Sequence, residues 1–224
     1  VAEPVVLAAA EGVDPDRYGW TAFKDDSNAD NLIGAYNALV AGIGDTAESI
    51  NISNYELTVT EMGTVMEAVL SDYPEYFWVG TKSGNGINYY SYTVGAVDSD
   101  TVTNVKPTYN THKEDQAAVK NEADQLLAGL PYGSDYETAL EIHDRLAEHV
   151  TYGTDPDDQN IYSALVTGTT VCAGYARAYQ YLLNQVGIKA WYISGTSDDP
   201  ASGESVGHAW NVIYLDDAKA WYYV

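Results

Sequence analysis

Basic residues are scarce in this chain. Ten Lys and Arg stand against 33 Asp and Glu, a formal charge of -23 over 224 residues. A surface that negative repels phosphate backbones, which argues against nucleic acid, anionic lipid and anionic cell-wall polymers as main partners. Its plain consequence is solubility. Cysteine occurs once, at Cys172, so no intramolecular disulfide can form. In an exported protein a lone thiol is a liability unless it has a use. In a cytosolic protein it is usually a small buried apolar residue. No run of 18 or more apolar residues occurs, so the sequence predicts no membrane insertion. The opening Val1–Ala10 is apolar, but it has no basic flank and is too short to span. It fits both the processed start of an exported protein and a trimmed start.

What is present is ordinary globular material, with 46% hydrophobic residues. The spacing of Leu32, Ile33, Tyr36, Leu39, Val40 and Ile43 predicts a helix over 30–43, with Asn28 and Asp30 as candidate caps. A strand is predicted over 50–58, a helix from Thr60 stopped by Pro74, and a short buried strand over 76–79. Strands follow over 88–94 and 101–109, with turns at Asn85-Gly86 and Asp98-Ser99-Asp100. Residues 20–110 thus read as a small α+β domain. Residues 111–130 read as a linking helix, burying Ala117, Ala118, Leu126, Leu127 and Leu130.

From 131 to 224 the pattern changes. A helix over 134–150 is predicted to bury Leu140, His143, Leu146, Ala147 and Val150. A second, from Cys172 to Val186, shows Cys172, Tyr175, Ala176, Tyr179, Leu182, Leu183 and Val186 on one face and ends at Gly187. Strands are expected over 188–194, 208–215 and 219–224, the last two joined by a hairpin at Asp216-Asp217-Ala218. A loop is expected over 195–207.

Cys172 stands at a helix start, where free N–H groups and partial positive charge favour a thiolate and stabilise an oxyanion. Gly174 admits close approach of a substrate or a neighbouring strand. His208, expected where a flexible loop enters a strand, is placed to meet Cys172 across a helix–sheet junction as its base. The other histidines fit structural places: His112 in a linker, His143 on a helix face, and His149 at a helix C-terminus. Zinc is disfavoured, because His208 follows Cys172 by 36 positions with no other Cys or His between and no set of four ligands forms. No metal and no cofactor are expected.

The run Val171-Cys172-Ala173-Gly174-Tyr175-Ala176-Arg177-Ala178-Tyr179, continued by Leu182–Ile188, resembles the Cys segment of bacterial transglutaminase-like proteins. Gly207-His208-Ala209-Trp210-Asn211-Val212 resembles their His segment. Trp221-Tyr222-Tyr223-Val224 is similar to the strand before their third catalytic residue. The stretches Ile142–Leu146, Val150–Tyr152 and Tyr162–Leu165 also fit. The resemblance covers about 135–224 and implies an α+β fold, a papain-like core of a helix packed on an antiparallel sheet. It implies a Cys–His–Asp triad with Cys172 and His208 as its first two members and the acid just after Val224. Tyr162 matches a position near the active Cys, as an oxyanion donor or a gate. Asn211 faces away from His208 by strand alternation, and Asp216 and Asp217 fall in a turn, so none of them replaces the acid.

The function implied is a cysteine peptidase or amidase acting through a thioester on peptide or protein amides, with cell-wall peptide among the candidates. The alternatives are a non-catalytic cell-surface binding or structural module on the same fold, and a decayed relative in which Cys172 is a core residue. Acidity, the single cysteine and the resemblance to exported bacterial proteins point to a secreted or surface protein of a Gram-positive bacterium.

Overall fold

The computed structural model describes residues 17–84, 87–97, 100–131, 133–154, 159–198 and 203–224. The chain forms two compact units, Val1–Ser83 with Tyr89–Asn110, and Gly84–Asn88 with Thr111–Val224. The turns expected at Asn85-Gly86 and at Asp98-Ser99 lie outside the described residues.

The first unit begins with α1 (Tyr18–Phe23) and α2 (Ala29–Gly44). Leu32, Tyr36, Leu39 and Ile43 are buried along α2, as their spacing predicts. Next come β1 (Ile50–Asn51) and α3 (Val59–Asp72). Thr58 and Glu61 form a reciprocal capping box at the start of α3, which satisfies two donors the helix cannot use itself. The predicted strand over 50–58 is cut to two residues. Asn51 Oδ1 accepts from Ser53 N at 3.0 Å and Ser53 Oγ at 2.8 Å, and Glu56 takes a left-handed φ of 49°, so the chain turns instead. The strand predicted over 76–79 is reduced to one antiparallel bridge, Val79 with Tyr109, flanked by Asn110 N to Trp78 O and Gly80 N to Thr108 O. Before it, Tyr76 N bonds Tyr73 O and Val79 N bonds Tyr76 O, so turns take up those donors.

The short strands β2 (Thr81–Gly84) and β3 (Ile87–Tyr90) pair with each other. Then β4 (Tyr92–Val97) and β5 (Thr101–Pro107) join β1 in a sheet of order β1-β5-β4. At the heart of this unit Asp72 is buried. It accepts from Tyr36 Oη at 2.6 Å, Gly19 N at 2.6 Å and Tyr18 N at 3.0 Å, which ties α1 to α3. Burial pushes its carboxyl up to about 6, against those hydrogen bonds and the nearby Arg17.

The second unit opens with a 3-10 turn, Thr111–Asp115, and α4 (Gln116–Leu127). Its buried stripe is Val119 and Ala123, whereas Ala117 and Ala118 are exposed, a correction to the expected face. In α5 (Asp135–His149) the face is likewise rotated by about one residue. Ala139, Ile142 and Leu146 are buried, while Leu140, His143 and Ala147 face outward. Both true stripes follow i, i+3 or i+4 spacing and rest partly on alanine, a weak hydrophobic mark.

After β6 (Thr151–Tyr152), a π-type turn over Ser163–Thr167 and β7 (Thr169–Thr170), the chain enters α6 (Cys172–Gln185). The unit closes with β8 (Ala190–Asp198), β9 (Ser205–Leu215) and β10 (Ala220–Tyr223), an antiparallel sheet of order β10-β9-β8. Helix α6 packs on β8 and β9. The α+β class and the helix-on-antiparallel-sheet core are both as expected. The 195–207 loop is shorter than expected, because pairing continues to Asp198↔Ser205.

Candidate active site

The segment that delivers Cys172 is held from below. Gly168, at φ 73°, ends the π-type turn. Thr151 and Tyr152 then pair in parallel with Thr169 and Thr170, through Thr151 N to Gly168 O and Gly153 N to Thr170 O, both 2.9 Å. The buried Thr170 hydroxyl meets Ser163 Oγ at 2.9 Å, and Ser163 Oγ donates to Asn160 O at 2.7 Å. Asn160 Oδ1 accepts from the N–H groups of Tyr162 and Ser163 at 2.9 and 3.1 Å, a local cap that sequence reading missed. The spacing Asn160-x-x-Ser163 is the signal that marks it.

Cys172 is the first residue of α6. The N-cap, Val171, is extended and offers no side-chain acceptor. The first turn of α6 therefore receives no cap from Val171, and half-buried Cys172 stands beside its leading N–H groups. Gly174 is explained by the protein's own packing rather than by a ligand. A Cβ there would collide with the Thr170 hydroxyl and lie 3.1 Å from Asn160 O. Tyr175, one turn beyond Cys172, donates its hydroxyl to Val150 O at 2.5 Å and stacks on exposed Tyr152, with ring centroids 6.1 Å apart. Burial raises the Tyr175 phenol, which keeps it a neutral donor.

His208 lies three residues inside β9 rather than at its start, directly opposite Gly195 of β8. Alternation along β9 buries Ala209, Asn211, Ile213 and Leu215 and puts His208, Trp210, Val212 and Tyr214 on the other face. Asn211 Nδ2 donates to Ala176 O of α6 at 2.9 Å and to Trp191 O at 3.3 Å, so Asn211 serves the helix–sheet contact, as alternation predicts. Ala209 packs with Ala173 and Ala176, and Cys172 and Tyr192 rest against that cluster. Cys172 thus touches the cluster that contains the residue next to His208. No hydrogen bond joins the two side chains among the described residues. The exposed His208 ring instead lies near-parallel to Trp210, with centroids 6.0 Å apart and planes at 28°.

Tyr162 stacks on His112 with centroids 4.2 Å apart, and His112 Nδ1 meets Asp115 Oδ2 at 2.9 Å. His112 therefore belongs to a 3-10 turn rather than a plain linker. His149 Nε2 donates to Leu165 O at 2.8 Å, a structural role. His143 is exposed and paired with Asp144 at 3.0 Å. Asp216 and Asp217 are exposed in the β9–β10 turn, and Asp135 Oδ2 accepts from Asp216 N at 2.8 Å. No helix among the described residues is long and apolar enough to cross a membrane.

Residues 124–224 match the model of the Transglutaminase-like superfamily, and this part of the chain is transglutaminase-like. Comparison with curated protein sequences finds no match. Among solved structures, a crystal structure of a TGase is 15% identical with a TM-score of 0.41, over 60% of this chain and 43% of that one. The periplasmic domain of TgpA from Pseudomonas aeruginosa, bound to ethylmercury, is 18% identical with a TM-score of 0.33, over 56% and 55% of the two chains. The chain spans about half the length of these structures or less.

Proposed function

We propose that the transglutaminase-like part, residues 124–224, carries the nucleophile and base of a thiol acyl-transfer enzyme acting on peptide or protein amides. In this reading His208 takes the proton of the Cys172 thiol and the sulfur attacks the amide carbon. The carbon–nitrogen bond then breaks as the imidazolium gives its proton to the leaving amine. Water, deprotonated by His208, cleaves the thioester and frees the acid. The observation that carries the reading is the place of Cys172. It is the first residue of a helix whose N-cap residue, Val171, makes no side-chain cap, and it rests against the cluster that contains Ala209.

The third member would be a carboxylate just past Val224. Val224 and Asn211 exchange backbone hydrogen bonds at 2.9 and 3.0 Å, which extends the β10–β9 register. A following residue on that strand would fall opposite Trp210, on the face of the sheet that His208 shares. In a Ser-His-Asp triad, replacing the acid that orients the histidine costs about 10⁴ in turnover, so a carboxylate at this place is expected to raise activity strongly. The experiment is iodoacetamide labelling of Cys172 with and without His208→Ala, together with amine release from peptide amides. A slower His208→Ala supports the pair, and equal labelling sinks it.

A second reading, a cell-surface binding module, rests on the aromatic ladder of Trp191, Trp221 and Tyr214. Its centroids are 4.3 and 5.2 Å apart, and Trp221 is 41% exposed. Peptide binding that survives Cys172→Ala and is lost in Trp221→Ala would favour it. The acidity and the lone thiol support a secreted or surface location. A purely cytosolic pool of the parent protein on fractionation would count against that.

A further inference from the structure

In an antiparallel sheet the position opposite a residue is normally filled by its cross-strand partner. Opposite His208 stands Gly195, which has no side chain. The vacated place is taken by Trp210, which is paired with Ile193 and leans one step along the ladder. A Cβ on Gly195 would lie 2.8 Å from Trp210 Cη2 and 3.3 Å from Cζ3, closer than such carbons pack. A glycine inside a strand marks this kind of close approach. The same indole lies near-parallel to the His208 ring at 6.0 Å. Gly195, Trp210 and His208 therefore form one device, in which the glycine admits the indole and the indole walls one side of the imidazole.

We propose that Trp210 is the positioning residue of His208, and that Gly195 is what lets it act. The proposal rests on the reading of Cys172 and His208 as a catalytic pair. Its physical content is restriction of the imidazole: a wall of π surface removes rotamers the exposed ring would otherwise populate. That is part of the task an acid partner performs in a triad. Among the described residues of this hairpin the carboxylates are Asp198 on β8 and Glu204 before β9, both at its loop end, and Tyr192 and Tyr214 lie on the strands. Lys189 precedes β8 at the opposite end.

The test uses the chain as it stands, with Trp210→Ala, Trp210→Phe, Gly195→Ala and His208→Ala, folding being checked by circular dichroism. The first readout is the ring-current displacement of the His208 proton resonances by NMR. The second is the iodoacetamide labelling rate of Cys172. Trp210→Ala is expected to abolish the displacement and slow labelling roughly 2- to 10-fold, the range an aromatic contact supplies. Gly195→Ala should do the same by expelling the indole, and Trp210→Phe should retain most of both. A Gly195→Ala/Trp210→Ala double variant should be no worse than either single one. If His208→Ala slows labelling while Trp210→Ala and Gly195→Ala leave it unchanged or faster, the positioning role is overturned. If His208→Ala itself labels at the wild-type rate, the catalytic reading fails. The resonance displacement then decides the contact alone, and its persistence in Gly195→Ala overturns the contact too.

Discussion

Replacing Gly174 with alanine adds one methyl group at the most crowded point behind Cys172. Its carbon would collide with the Thr170 hydroxyl, lie 2.9 Å from Thr170 Cβ and lie 3.1 Å from Asn160 O. Thr170 is fully buried and holds Ser163 Oγ at 2.9 Å, and Asn160 O is backbone, so neither neighbour can swing clear. Either Thr170 rotates and strands a buried hydroxyl, at about 1–3 kcal/mol, or the first turn of α6 shifts, at a similar overpacking cost. The better helix propensity of alanine offsets up to about 1 kcal/mol. The net expectation is a loss of about 1–2 kcal/mol, read as a fall of roughly 4–8 °C in Tm for a unit of this size. Thermal unfolding followed by tryptophan fluorescence measures it. Adding Thr170→Ala to the variant removes the struck hydroxyl and should recover part of the loss. A Gly174→Ala chain as stable as the wild type would refute the account of why glycine stands there. Because the first turn carries Cys172, the same variant should also change its labelling rate.

Asp72 sets a pH dependence in the first unit. Its folded carboxyl, at about 6 against an ordinary 3.8, favours the protonated form. Its contribution is therefore fully present below about pH 4 and is lost as pH rises through 6. The amount is on the order of 3 kcal/mol. The wild-type minus Asp72→Asn stability difference should fall over that window, and a flat difference between pH 4 and 7 would exclude it. Asn211→Ala removes a buried donor shared by Ala176 O and Trp191 O. It should lower the urea unfolding free energy by about 2 kcal/mol, and an unchanged midpoint would show the amide is dispensable. Tyr175→Phe deletes one 2.5 Å hydrogen bond to Val150 O while keeping the stack on Tyr152. A loss of about 1 kcal/mol in thermal unfolding is expected, and none at all would mean that water replaces the contact.

Helix positions with large apolar marks, such as Leu32, Leu39, Leu182 and Leu183, were legible in the sequence. So was the place of Cys172 just after a Gly-Thr-Thr turn. The faces of α4 and α5 were misread because alanine carries much of their burial, while exposed leucine and histidine at neighbouring positions imitate a stripe. The strands expected over 50–58 and 76–79 failed through local competition. Asn51 and the turns after Tyr73 supply local hydrogen bonds that leave only single bridges, Thr58 with Thr101 and Val79 with Tyr109, beyond β1. The Ser-, Gly- and Asp-rich stretch after Ser194 has the composition of a loop, yet the β8–β9 ladder runs through it to Asp198. The tilt of Trp210 over Gly195 depends on two strands meeting in one register, which composition cannot announce. For the same reason the paired stack of Tyr162 on His112 was out of reach.

Helix α6 is buried on nearly every side, from Ala173 and Gly174 through Tyr179 to Leu182 and Leu183. Its amides should therefore be among the last to exchange with solvent, opening only with the whole unit. The breathing that admits a reagent to the thiol must then come from the lead-in over 169–171. Among its fastenings are Gly153 N to Thr170 O and the contact of the Thr170 hydroxyl with Ser163 Oγ. The thiol is mounted on a slow-opening helix, and its access is governed by the short strand pair that leads into it.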